Sequence, residues 1–224
     1  MLKAVIFDLD GTLVNTLEDL GNSTNHMLSE NGFPIHTMDK YNYFVGNGIP
    51  KLIERALPET ERSAENIKKY TEQFTKYYSK HFADKSAAYG GIAELVAEIK
   101  KMGLKTAVVT NKAQAMTDLV ISKVFGSGVF DSVVGKRDEN PAKPDPKAAF
   151  VAMSEMEVNP DECVFVGDSS VDILTARNCG AYPVGVLWGF RTRQELENSG
   201  ARLIISEPEE LVRFIFAVNG GNIK

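Results

Sequence analysis

Five short apolar runs, rich in β-branched residues, punctuate the chain: KAVIFD at 3–8, LKTAVVT at 104–110, FDSVV at 130–134, CVFVG at 163–167 and PVGVL at 183–187. They are apolar almost throughout instead of alternating with polar residues, as strands covered on both faces must be. The segments between the last four are long enough for right-handed crossover helices, so the pattern predicts an α/β fold built on a parallel sheet.

Residues from about 15 to 85 break this rhythm, with helical periodicity, many polar positions and no strand-like run. They read as an inserted helical unit. Thr16 with Asp19 three positions on has the form of a capping box, which starts a helix just after the first strand turns. Further helices are expected over Lys51–Leu57 and Ala64–Phe82, the second with Ile67, Tyr70, Phe74, Tyr77 and Tyr78 as packing residues. Ala88–Gly91 gives a flexible return to the sheet, and Ile92–Lys100 is amphipathic with helical period. No internal repeat is visible.

Composition narrows the setting. The 224 residues are 43% hydrophobic and 25% charged, the balance of a globular protein with a substantial core. A formal charge of −5 disfavours nucleic acid as a partner. The first apolar run is interrupted at Asp8, too early for a signal or membrane-spanning segment. Cys163 and Cys179 are expected as buried free thiols, which suits a cytoplasmic location. His26, His36 and His81 show no metal-ligand spacing and are assigned no role.

In an open parallel sheet, ligands bind beyond the carboxyl ends of the strands, where loops and helix N-termini converge. At those ends stand Asp8 and Asp10, then Thr110 and Asn111, then Lys143, then Asp168 and Asp172. Asp8 and Asp10 lie two residues apart, so a cation must neutralise them or one takes up a proton. Either outcome is useful: a charged carboxylate attacks phosphorus without a separate base, and its neighbour carries the proton that a leaving alkoxide needs. A hard dication such as Mg²⁺ needs one or two carboxylates beside its waters. Asp168, in the turn before a helix, fits either a helix cap or a metal ligand when taken alone, and a ligand when taken with Asp8 and Asp10. Asp172 falls in the first turn of that helix, its role open.

Lys143 precedes Pro144, with Asp145 suited to cap a helix and Pro146 to its first position. At that helix start its ammonium offsets the charge of Asp8 and of a phosphoryl group in transfer. Thr110 and the Asn111 amide are further donors to a phosphoryl group. Gly46 and Gly48 flank Asn47 in a loop that closes on substrate or merely turns. Arg137, Arg191 and Arg193 read as solvated surface charge.

DLDGT at 8–12, TN at 110–111, KPDP at 143–146 and GDSSVD at 167–172 resemble, in order, the four motifs of the haloacid dehalogenase superfamily. Over nearly its whole length the chain is similar to the phosphoglycolate phosphatase branch, including VGNGIPKLIERAL at 45–57 and GVLWGFRTRQELENSGA at 185–201. The resemblance implies a Rossmann-like parallel-sheet core of residues 1–14 and 88–224 with an inserted α-helical cap domain of residues 15–87. It implies Asp8 as nucleophile and Asp10 as general acid/base. Thr110, Asn111, Lys143 and Asn47 become the substrate-binding candidates, and Mg²⁺ would be held by Asp8, the Asp10 carbonyl and Asp168. Aspartate at position 10 favours phosphate chemistry, because the superfamily's dehalogenases and phosphonatases lack that acid/base.

The expected activity is thus a Mg²⁺-dependent phosphatase acting on a small phosphorylated metabolite of the phosphoglycolate kind, from a monomer or homodimer. An inorganic pyrophosphatase and a β-phosphoglucomutase-like phosphosugar mutase are the alternatives, though TNKAQ at 110–114 lacks the serine-rich form of such mutases. A binding protein that kept the fold without turnover is the non-catalytic alternative.

Overall fold

The computed structural model describes residues 1–138 and 141–220. The chain opens with β1 (Ala4–Phe7) and β2 (Val14–Asn15), then passes through helices α1 (Leu17–Glu30), α2 (Met38–Phe44), α3 (Ile49–Ala56) and α4 (Ala64–His81) before β3 (Ala87–Ala88). From there helices and strands alternate: α5 (Ile92–Lys101), β4 (Lys105–Ala113), α6 (Gln114–Val124), β5 (Ser132–Lys136), α7 (Lys147–Met156) and β6 (Cys163–Gly167). The chain continues through α8 (Ser170–Cys179), β7 (Tyr182–Val186), α9 (Arg193–Ser199), β8 (Leu203–Ile205) and α10 (Pro208–Val218).

Six strands form one parallel sheet in the order β5-β4-β1-β6-β7-β8. All four residues of β1 are buried, and they alternate between the two faces. Val5 and Phe7 join a cluster with Leu95, Ile99, Val120 and Ile215. Ala4 and Ile6 join one dominated by the small side chains of α7, with Ala148, Ala149 and Ala152. Those alanines let α7 approach the sheet closely, which brings the residues just before it to the strand ends.

The chain leaves β1 for β4 and β5 on one side, then returns to β6, β7 and β8 on the other. This reversal of winding about β1 opens a crevice at its carboxyl end, where Asp8 begins.

The inserted helices form a helical cap with its own apolar cluster, which includes Leu20, Met27, Tyr41, Ile53, Phe74 and Tyr78. The two short strands that frame it, β2 and β3, pair antiparallel through Val14–Ala88 and Asn15–Ala87.

The expected capping box at the start of α1 does not form: Thr16 occupies the N-cap position without a side-chain cap bond. Its hydroxyl instead donates to Asp10 Oδ1 at 2.7 Å. Asp19 turns to the segment just before β3, accepting from the Lys85 and Ser86 amides at 2.8–3.1 Å and from the Ser86 hydroxyl at 2.6 Å. A buried carboxylate thus ties the first cap helix to the return segment, a tertiary demand that outweighs the local cap.

Smaller differences from expectation also appear. Helix α7 starts at Lys147 with Pro146 as its N-cap, one residue later than expected, while Asp145 Oδ1 accepts from the Lys147 amide at 2.9 Å. The strand β8 was not anticipated, because three residues give too short a run to stand out. Helix α2 likewise escaped notice, with one fully buried residue, Tyr41, in seven. Cys163 and Cys179 are buried and unpaired, as expected. Among the described residues no helix is long and apolar enough to cross a membrane.

Replacing Asp19 by alanine strands two amides without their acceptor, which costs about 2–3 kcal/mol. Urea unfolding of Asp19→Ala should show that loss; a midpoint equal to the parent's would mean that solvent replaces the carboxylate freely.

Candidate active site

Asp8 leaves β1 with its amide still in the sheet, donating to Val166 O at 2.9 Å. Its carboxylate meets two others from the next strand and helix: Asp8, Asp168 and Asp172 each present an oxygen within 4.8 Å of the others, and all three are buried. One cation, Lys143, pairs with two of them. Lys143 Nζ lies 2.6 Å from Asp172 Oδ1 and 2.8 Å from Asp8 Oδ1, and donates to Val109 O at 3.0 Å. The contact with Asp8 Oδ1 is off the hydrogen-bond direction, leaving that buried oxygen charge-paired but without an aligned donor.

The consequence is electrostatic. Burial, with Asp172 adding to it, pushes the Asp8 carboxyl from 3.8 up to about 7, against the pull of Lys143. Burial, with Asp172 and Asp8 adding to it, holds Asp168 well above the ordinary carboxylate range, against the pull of the Phe190 amide and Arg191. Crowding therefore falls across the strands and not chiefly between Asp8 and Asp10. Asp8 and Asp172 share one ammonium, Asp168 contacts none, and Asp8 Oδ1 has no aligned donor. This all-oxygen set fits a hard dication.

Each carboxylate is held differently. Asp172 Oδ2 accepts from the Ser169 amide at 3.1 Å and its hydroxyl at 2.6 Å, a capping box closing the start of α8. Ser169, not Asp168, is the cap residue. Asp168 Oδ2 accepts from the Phe190 amide at 2.7 Å. The segment carrying Phe190 lies so close that a Cβ on Gly189 would sit 2.3 Å from Asp168 Cβ and 2.4 Å from Gly11 O. Gly11 itself has φ +90°, and a Cβ there would meet Asp168 Oδ2 at 2.5 Å.

Asp10 belongs to a second pairing. Lys112 Nζ reaches its Oδ1 at 2.9 Å and Oδ2 at 3.2 Å, and Tyr78 Oη of the cap at 3.0 Å. Burial alone would pull the lysine down, but Asp10 and Tyr78 more than offset it and hold it above its usual value. Lys112 was not singled out in the sequence, and Tyr78 only as packing. Lys112 is the next residue after the TN motif; β4 lies between β5 and β1, and its residues Thr110, Asn111 and Lys112 are all buried in succession.

Between sheet and cap lies a cavity of about 20 Å³, lined by Asp8, Asp10, Thr110 and Lys112 below and by Val45 and Ile49 above. That volume holds about one water. Asn111 spans the gap: its amide donates to Gly46 O of the cap at 3.1 Å and Lys143 O at 3.3 Å, while its Oδ1 accepts from the Lys143 amide at 2.7 Å. Asn47 is turned aside, its Oδ1 accepting from Arg55 Nη2 at 2.9 Å. Gly46 and Gly48 both have positive φ, 111° and 83°, so the loop's course depends on glycine.

Arg191 departs from the expected solvated charge. Its side chain is 8% exposed, donates to Val45 O at 2.9 Å and faces Glu195 at 3.5 Å, since the carbonyl turned down by the Val45 loop needs a donor from the core. Arg137 is exposed and Arg193 meets Glu197 at the surface.

The profile of the haloacid dehalogenase-like hydrolases matches residues 5–186. The chain belongs to that family. Within it the chain sits in the phosphoglycolate phosphatase-like branch. It is 34% identical over 203 residues to the phosphoglycolate phosphatase of Caulobacter vibrioides, covering 90% of this chain and 85% of that one. It is 30% identical to that of Haemophilus influenzae strain 86-028NP, covering 95% and 98%. The crystal structure of a phosphoglycolate phosphatase candidate from Lactobacillus delbrueckii subsp. bulgaricus superposes with a TM-score of 0.90 at 29% identity, covering 95% and 98%. The family assignment extends over the sheet and the cap alike.

Two outcomes follow from the packing and the charge. Gly189→Ala should destabilise by about 1–3 kcal/mol through overpacking and weaken divalent-cation binding by displacing Asp168, read by calorimetry; unchanged affinity would separate that segment from the cluster. The raised Asp8 carboxyl binds its proton more tightly in the folded state, so its penalty is absent below pH 3.8 and grows until about pH 7. In chelator, Asp8→Asn should therefore melt above the parent at pH 8 and level with it near pH 4; a parent that is equally or more stable at pH 8 would contradict the crowding.

Proposed function

We propose that the protein is a Mg²⁺-dependent phosphatase of small phosphate monoesters, phosphoglycolate being the model substrate, and that it works through an aspartyl phosphate on Asp8. The observation that carries this reading is that Asp8 and Asp10 line one cavity but rest on different lysines, Lys143 and Lys112. Two carboxylates with separate partners suit separate roles.

In the first half-reaction an Asp8 oxygen forms a bond to phosphorus as the bond to the ester oxygen breaks. Asp10 gives its proton to the departing alkoxide. In the second, Asp10 takes a proton from water as that water attacks phosphorus, which releases phosphate and restores Asp8. Lys143 offsets charge at Asp8 through both steps, and the Thr110 hydroxyl, buried at the cavity, is available to the phosphoryl oxygens. Asp8, Asp168 and the Asp10 carbonyl would hold the Mg²⁺, with Asp172 steadying Lys143. When bound, the ion supplies positive charge against the phosphoryl group.

The space above Asp8 must widen before even a phosphoryl group fits, so the cap has to lift for substrate to enter. Asn47 and the glycines beside it are proposed to contact what the phosphate is attached to once the cap lifts.

Asp8→Asn, purified folded, should lose at least about a thousandfold in Mg²⁺-dependent hydrolysis of p-nitrophenyl phosphate, as removal of a covalent nucleophile does. Parent-level turnover would rule out the assigned nucleophile. On the parent, 2-phosphoglycolate should outpace pyrophosphate; the reverse order would make the protein a pyrophosphatase.

A further inference from the structure

The pairing of Lys112 with Asp10 has more structure than charge balance requires. Lys112 is 4% exposed, and a buried ammonium is costly unless its partners are well placed. An ammonium has three N–H donors. Lys112 directs its own at Asp10 Oδ1, Asp10 Oδ2 and Tyr78 Oη, at 2.9, 3.2 and 3.0 Å. None is left over for a substrate anion in this arrangement, although the lysine lines the cavity. Thr16, at the head of α1, holds Asp10 Oδ1 from another direction at 2.7 Å.

We infer that Lys112 and Tyr78 are the positioning residues of Asp10, the ammonium fixing the carboxylate at the cavity and the cap phenol fixing the ammonium. The inference rests on the phosphatase reading above. Tyr78 is fully buried at its ring and stacks on Phe74 with centroids 5.2 Å apart, so the phenol is a rigid anchor for a flexible side chain. The arrangement gives Lys112 a role distinct from that of Lys143. Lys143 stands against the attacking carboxylate, and Lys112 against the one that handles the proton.

Leaving groups separate these roles. An alkoxide must receive a proton as it departs, whereas p-nitrophenolate leaves without one, and positioned proton transfer contributes about 10²–10⁴-fold. Lys112→Met keeps length and apolar bulk while removing the donors. Its kcat/KM on 2-phosphoglycolate, or on whichever alkyl phosphate the parent hydrolyses best, should fall about a hundredfold. On p-nitrophenyl phosphate it should fall by less than about tenfold. Tyr78→Phe, which keeps the ring, should show the same selectivity at a smaller size, and it carries the test if Lys112→Met does not fold. Equal losses on both esters would reduce the pair to a structural role. A rise in KM for 2-phosphoglycolate alone, with kcat kept, would make Lys112 a substrate ligand instead. Parent turnover of the two esters reports on the phosphatase reading, and only the variant-to-parent ratio reports on this pair.

Discussion

Three buried carboxylates meet at the end of β1, two of them, Asp8 and Asp172, on the single ammonium of Lys143, and much of the surrounding architecture follows from keeping that arrangement intact. Like charges in a poorly solvated site repel strongly, so each needs its own restraint. Asp172 is locked by the first turn of α8, Asp168 by the Phe190 amide, and Asp8 by its place in the central strand. Lys143 is held by Val109 O and by the Asn111 side chain on its own amide. The restraints come from β4, β6 and the segment after β7, on both sides of β1. A site of this kind demands an open sheet whose winding reverses at its centre.

The cluster also accounts for the close approaches around it. Gly11 and Gly189 pack so tightly on Asp168 that a methyl group on either would collide with it. Such density excludes loose water from the carboxylates, which sharpens their repulsion and their need of a cation. The strain of assembling like charges is offset by the apolar clusters on the two faces of the sheet, where burial contributes about 25 cal/mol for each Å² of apolar surface.

Much of this was legible in the sequence because the controlling physics is local. Strands β1 and β6 are continuous apolar runs ending in acids, so both the sheet and the acids at its edge could be read directly. Other features depend on tertiary geometry. β4 is buried on both faces up to Lys112, so a lysine whose charge alone reads as exposed lies inside beside Thr110 and Asn111. The Thr16–Asp19 pair has the letters of a capping box, yet Thr16 reaches Asp10 and Asp19 reaches Lys85 and Ser86, partners remote in sequence or hidden by the fold. Arg191 looks like any surface arginine until the cap supplies Val45 O. The loop around Asn47 reads as one that closes on substrate or merely turns, and the Asn47 side chain accepts from Arg55 of α3, a contact no spacing announces.

Phe190 sits in the sheet portion of the chain, yet its ring belongs to the apolar cluster of the inserted helices, while its amide holds Asp168. One residue is thus shared between two modules that are also joined by the connecting strands and by the contacts of Asn111, Lys112 and Arg191 with the cap. Exchange of helical inserts between relatives is constrained accordingly. A transplanted insert must bring a socket shaped for the residue at position 190, or the acid behind it loses its tether, and the two modules can diverge only as a matched pair.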